Sequence, residues 1–172
     1  MANAPITKPT LFQALNPDRC LRPSKGDASA TFEAQQFVLL TSGSLATYVA
    51  DDVAIYGLTE DGSKTATTEP YDSLYSQNHN VIDPTGCTFI MNITDASGTV
   101  GSGSTTQADV TVGTRYSARY LASPYTTTLG IDAADSGTAT KNLFQVTGLV
   151  AADASTDYNG RVYVKVIASA IQ

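Results

Sequence analysis

Few residues in this chain have the type and spacing to do chemistry. There is one histidine, His79, among 172 residues. It stands in the polar run Ser-Gln-Asn-His-Asn (76–80), where it reads as a solvated loop side chain rather than the imidazole of a Ser-His-Asp relay. Cys20 and Cys87 lie far apart and form no Cys-x-x-Cys pair, so neither a zinc site nor a disulfide framework is indicated. Both are expected to be reduced and partly buried thiols. Aspartates occur in pairs at Asp51/Asp52, Asp132/Asp135 and Asp153/Asp157. A calcium loop of the EF-hand type needs alternating oxygen ligands, a central Gly and a distal Glu, and the run Asp132 to Gly137 lacks the alternation and the Glu. Loop aspartates more often close turns with their own side chains.

Other candidate sites fare no better. The string GLTEDGSKT (57–65) approaches a phosphate-binding loop, but Ser63 separates the second Gly from Lys64, and Asp61-Gly62 is explained by a tight turn. A glycosidase pair can be drawn from distant segments, so spacing alone leaves it open. The only glutamates, Glu33, Glu60 and Glu69, fall in arm or turn regions. Sugar-binding modules stack rings on aromatic platforms, and here Trp is absent. Tyr71, Tyr75, Tyr116, Tyr120 and Tyr125 are the tyrosines to watch, with packing or subunit contact as their ordinary role. The sequon at Asn92 lies in an expected buried strand. The expectation is a protein that is not an enzyme, with no cofactor and no metal.

The elements that would position such residues are strands. Charged residues make up only 15% of the chain, against about 25% in average domains, and Thr, Ser, Ala and Gly take their place. Thr suits a pleated surface, whereas Gly and Ser suit turns. Strands are predicted at QFVLLTS (36–42), SLATYVA (44–50), VAIYGLT (53–59), a short piece at 80–83, CTFIMNIT (87–94), RYSARYL (115–121), TTTLGI (126–131), LFQVTGL (143–149) and GRVYVKVIAS (160–169). In the last, Val162, Val164 and Val166 alternate with Tyr163, Lys165 and Ile167, the period of a strand with one buried face. The Gly/Ser stretch 96–107 reads as a flexible loop. The fold class is therefore all-β: a small antiparallel barrel or sandwich of about eight strands, with an extended N-terminal arm.

That arm spans 1–34, ahead of a β-rich domain at 35–172. Pro5, Pro9, Pro17 and Pro23 forbid a helix, yet Ile6, Leu11, Phe12, Leu15 and Leu21 are too apolar for a solvated tail. The arm is expected to lie on its own domain or on a neighbouring subunit. Net charge is −6, and the ten basic residues are scattered apart from Arg19, Arg22 and Lys25. Nucleic-acid binding, which needs clustered cations, is disfavoured. The opening MANAPITKPTLFQALNP lacks the apolar core of a secretory signal, and no apolar run approaches the ~20 residues of a membrane span. Synthesis in a cytoplasm is expected.

Several segments, in order, resemble the capsid cement, or decoration, proteins of tailed bacteriophages. QFVLLTSG followed by VAIYGLTED (53–61) resembles that family's opening, a Phe-Val strand and Gly turn before an apolar strand. TFIMNIT followed by VGTRYSARY resembles its central strands around a Gly-x-x-Tyr element. LFQVTGLVAADASTDYNGRVYVKVIASAIQ resembles its terminal pair, where an Asn-Gly turn enters a Val-rich strand. The resemblance covers 36–172 and leaves the arm unmatched. It implies a structural virion protein on the outer capsid surface, made in the host bacterial cytoplasm, that cements adjacent major capsid protein subunits. The implied partners are the major capsid protein and further copies of the chain, with a trimer favoured over a dimer. The arm residues Ile6, Leu11, Phe12 and Leu15 would make the contact, with Arg19 and Arg22 as polar partners, while the loop 97–106 would face solvent. Two alternatives stand beside it: another phage component such as a head-fibre base or tail protein, and a carbohydrate-binding β-sandwich.

Overall fold

The computed structural model describes residues 10–13, 21–25, 34–42, 44–60, 78–100, 105–126, 128–153 and 156–171. These form eleven strands, more than the expected eight: β1 (Thr10–Gln13), β2 (Leu21–Lys25), β3 (Phe37–Thr41), β4 (Ser44–Thr47), β5 (Gly57–Thr59), β6 (Asn78–Ile82), β7 (Thr88–Thr94), β8 (Arg115–Tyr120), β9 (Leu129–Ser136), β10 (Phe144–Leu149) and β11 (Arg161–Val166). The helical content of the described residues is short 3-10 turns, at Gln107–Asp109 and Ala168–Ala170.

Five strands close on themselves in the order β7-β11-β10-β8-β9, with β9 returning to β7. Four of these pairings are antiparallel, and the closing one, β9 on β7, is parallel. The expected antiparallel barrel is thus a barrel with one parallel seam. Alternation decides what goes inside. Val162, Val164 and Val166 of β11 stand opposite Met91, Phe89 and Phe144, and all are buried. Tyr116, Ala118, Leu129 and Ile131 fill the opposite wall. Burial of this kind stabilises a fold by about 25 cal/mol per Å² of apolar area.

The second sheet runs β2-β6-β5-β3-β4. Its two edge strands, β2 and β4, approach one another, so the sheet curls around a small core of Val38, Leu45 and Val81 with Leu40 and Tyr56 against it. Its other face covers one end of the barrel. Phe37 meets Phe89 and Phe144 edge-to-face, with ring centroids 5.2 and 5.3 Å apart, a geometry favoured by the ring quadrupoles. A second tie comes from the chain's last turn, where the Ile55 amide donates to the Ala170 carbonyl at 2.7 Å and Ile55 bridges Ile171 in parallel. The predicted strand 53–59 narrows to Gly57–Thr59, and within its first half Ile55 bonds the C-terminal segment instead.

Gly57 has no room for a side chain, because an added Cβ would sit 2.3 Å from Val81 Cγ1 and 2.5 Å from the Ile82 carbonyl oxygen. Strands β3 and β4 pair antiparallel up to Thr41 opposite Ser44, with Ser42 at φ 52° after the first strand. The Asn159-Gly160 turn ahead of β11 matches its sequence signal, with Asn159 at φ 56°.

Candidate functional site

The arm residues named from the sequence fall unevenly. Ile6, Leu15 and Arg19 lie outside the described residues. Leu11 and Phe12 belong to β1, which adds to the edge of β7 with Leu11 opposite Phe89. Arg22 belongs to β2, which pairs with β6 opposite Val81. The two described pieces of the arm thus join two different sheets, β1 the barrel and β2 the curled sheet. Pro23 fits there because β2 is an edge strand, where a missing N–H costs no ladder bond. On β7, strand β1 takes the first half of one edge (Thr88–Ile90) and β9 takes the second (Asn92–Thr94).

The aspartates expected in loops are structural. Asp132 and Asp135 lie on β9 rather than in a turn. Propensity misses this because Asp is poor in strands; here its charge is neutralised by neighbours. Arg119 of β8 donates from Nε to Asp132 Oδ2 at 3.1 Å, and the Asp132 side chain is only 1% exposed. Ser117 donates to Asp135 Oδ2 at 3.0 Å, and Lys141 bridges Asp135 and Asp51. The Lys141 hydrogen bond holds the Asp135 carboxyl below its ordinary range, and the same contact raises the Lys141 ammonium. Asp52 caps the neighbouring turn by accepting from the Val49 amide at 2.7 Å. Asp153 is buried and accepts from the Arg161 amide (2.7 Å) and from its guanidinium (2.6 Å to Nη2).

The tyrosines divide similarly. Tyr71 and Tyr75 lie outside the described residues. Tyr116 is buried in the barrel, and its hydroxyl accepts from the Thr111 amide at 2.8 Å. Tyr120 donates to the Tyr48 carbonyl at 2.7 Å, and burial with the Asp52 charge pushes its phenol up to about 12. Tyr48 is fully buried, its own hydroxyl meets no partner, and burial raises it further. Tyr125 is half-buried. Neither Tyr116 nor Tyr120 is a free ring platform.

His79 is part of β6, opposite Ser24, rather than in a loop. Cys87 is buried and its Sγ donates to the Asp83 carbonyl at 3.1 Å; Cys20 lies outside the described residues. Asn92, in the sequon, is fully buried on β7. Asp61 to Thr65 of the near phosphate-loop string also lie outside the described residues. Among the described residues no three His, Cys, Asp or Glu side chains gather as metal ligands, and no helix is long and apolar enough to cross a membrane.

Sequence reasoning missed two features. Gln107, expected in a flexible loop, is buried and donates from Nε2 to the Val150 and Arg161 carbonyls at 3.0 and 2.7 Å. An open cleft of about 360 Å³ lies between the start of β8, the β9–β10 connection and the C-terminal turn. Its floor includes buried Leu143 and Ala170, and its rim includes exposed Arg115, Val53, Thr138 and Thr140. The signal that could have found the cleft's cation is the alternation Arg115, Ser117, Arg119 against Tyr116, Ala118, Tyr120, which turns those polar groups out of the barrel. Comparison with family models, curated proteins and solved structures finds no match for this chain.

Proposed function

We propose that this chain is a structural virion protein of the cement class, which binds the outer surface of a tailed-phage capsid and ties adjacent major capsid protein subunits together. The observation that carries this reading is the arm, whose described pieces are laid as added strands on the edges of two separate sheets. A segment held by edge pairing uses main-chain hydrogen bonds that a neighbouring copy or a lattice subunit can also offer. The charged groups agree with a structural role, since Asp132, Asp135 and Asp153 each hold strands or loops in place through a cation.

The mechanism is mass action. A protein that binds only the assembled, expanded shell stabilises that shell by its binding free energy. Binding as a trimer at a lattice axis multiplies weak contacts through avidity.

The test is co-sedimentation with purified phage heads that lack a decoration protein. The intact chain is compared with one beginning at Gln36 and with the full-length double variant Leu11→Glu/Phe12→Glu, whose fold is checked by circular dichroism. Saturable binding by the intact chain, sharply weakened in a folded arm variant, supports the reading. Absence of binding by the intact chain refutes it. Equal binding by all three keeps the function and removes the arm from it.

A further inference from the structure

We infer that the cleft beside β8 is a binding site for a carboxylate carried on a short aliphatic body. This goes beyond capsid binding and does not depend on it. The first ground is charge. Of the described cationic side chains, Arg119, Lys141 and Arg161 are each paired with an aspartate, whereas Lys165 on β11 and Arg115 are not, and of these two only Arg115 lines the cleft. Arg115 makes no ion pair with a described carboxylate, yet it stands at the rim of a cleft in a chain of net charge −6. A guanidinium presents a planar fork of donors that matches a carboxylate bidentately.

The second ground is the lining. The hydroxyl-bearing residues Thr138, Thr140 and Ser169 line the same cleft as the apolar residues Leu143 and Ile167. One positive charge matches one negative charge, and the apolar floor calls for an aliphatic body rather than a polyanion. The volume of about 360 Å³ lies at the small end of ligand sites, which run from about 300 to 1,000 Å³.

The third ground is rigidity. The Gly137 amide donates to the Arg115 carbonyl at 2.9 Å, the Ile167 amide to the Leu143 carbonyl at 2.9 Å, and the Ile55 amide to the Ala170 carbonyl at 2.7 Å. Each wall is tied to another by main-chain bonds, so little ordering cost falls on binding.

The test is a titration of the intact, isotope-labelled protein with N-acetylleucine, followed by amide shifts in two-dimensional NMR. N-acetylleucine amide and the exposed-site variant Arg115→Gln serve as controls. The acid is expected to shift amides at 138–140 and 167–170 saturably, with binding weakened about tenfold or more for the amide and for the variant. Equal binding of the amide, unchanged binding by Arg115→Gln, or no saturable shift in those segments overturns the proposal. A pentapeptide ending in a free Leu separates the two sources of this chemistry. Tighter binding than N-acetylleucine assigns the site to a protein C-terminus, equal binding assigns it to a free small acid, and both support it.

Discussion

The barrel and the curled sheet are built on opposite plans. All five barrel strands come from one stretch between Thr88 and Val166. The curled sheet takes its hairpin from Phe37–Thr41 and Ser44–Thr47 and then recruits β2 from the arm and β6 from beyond a long connection. The large core is walled by the barrel and by one face of the curled sheet, through Phe37, Leu58 and Ile82, whereas the sheet's other face encloses three fully buried residues, Val38, Leu45 and Val81. A unit with a small core and recruited edges has little margin of its own.

The first way to break this contrast is to hollow each core. Phe144→Ala removes a fully buried ring that touches Phe37 and Tyr48, and it is expected to cost about 3–5 kcal/mol in urea unfolding. Leu45→Ala in the small core is expected to cost about 2–3 kcal/mol, since the surrounding curled sheet can close on the gap. Equal losses would mean the small core carries as much of the stability as the large one.

Next in size is the ion pair behind β11. Asp153→Ala leaves the Arg161 guanidinium and amide without their acceptor and is expected to cost about 3 kcal/mol. Gly57→Ala should destabilise the protein by about 1–3 kcal/mol, because the new methyl must displace Val81 and the β6 backbone. Hydrogen exchange should locate that loss in β5 and β6 and leave β10 and β11 protected. The smallest effect sharpens the account of the shared end. Tyr48→Phe deletes a buried hydroxyl that has no partner, so stability is expected to hold or rise by about 1 kcal/mol.

The pH response follows from Asp135, whose carboxyl is lowered in the fold chiefly by Lys141. A lowered carboxylate contributes stability above its unfolded value of about 3.9 and loses it as the pH falls through the folded value. The stability gap between the wild type and Asp135→Asn should therefore be full at neutral pH and close below pH ~4.

How much was legible follows the same division. The strands β7, β8, β10 and β11 could be read directly, because alternation and apolar runs are local signals. The closing pair β9–β7 could not, since nothing near Gly130 records that it will lie beside Asn92. The sequence pattern also ends strand β9 early, because Asp132 and Asp135 look like turn residues until Arg119 and Lys141 arrive from elsewhere in the chain. Strand β2 was hidden by Pro23, which an edge position tolerates. The cleft was hidden for a related reason: its walls come from three separated segments.

The central proposal, that the arm meets the capsid, is tested most directly by hydrogen–deuterium exchange of the intact protein, free and bound to heads. The account predicts new protection in 10–13, 21–25 and 78–82 on binding, with β10 and β11 unchanged. Protection confined to the barrel, or no difference between free and head-mixed protein, would contradict it.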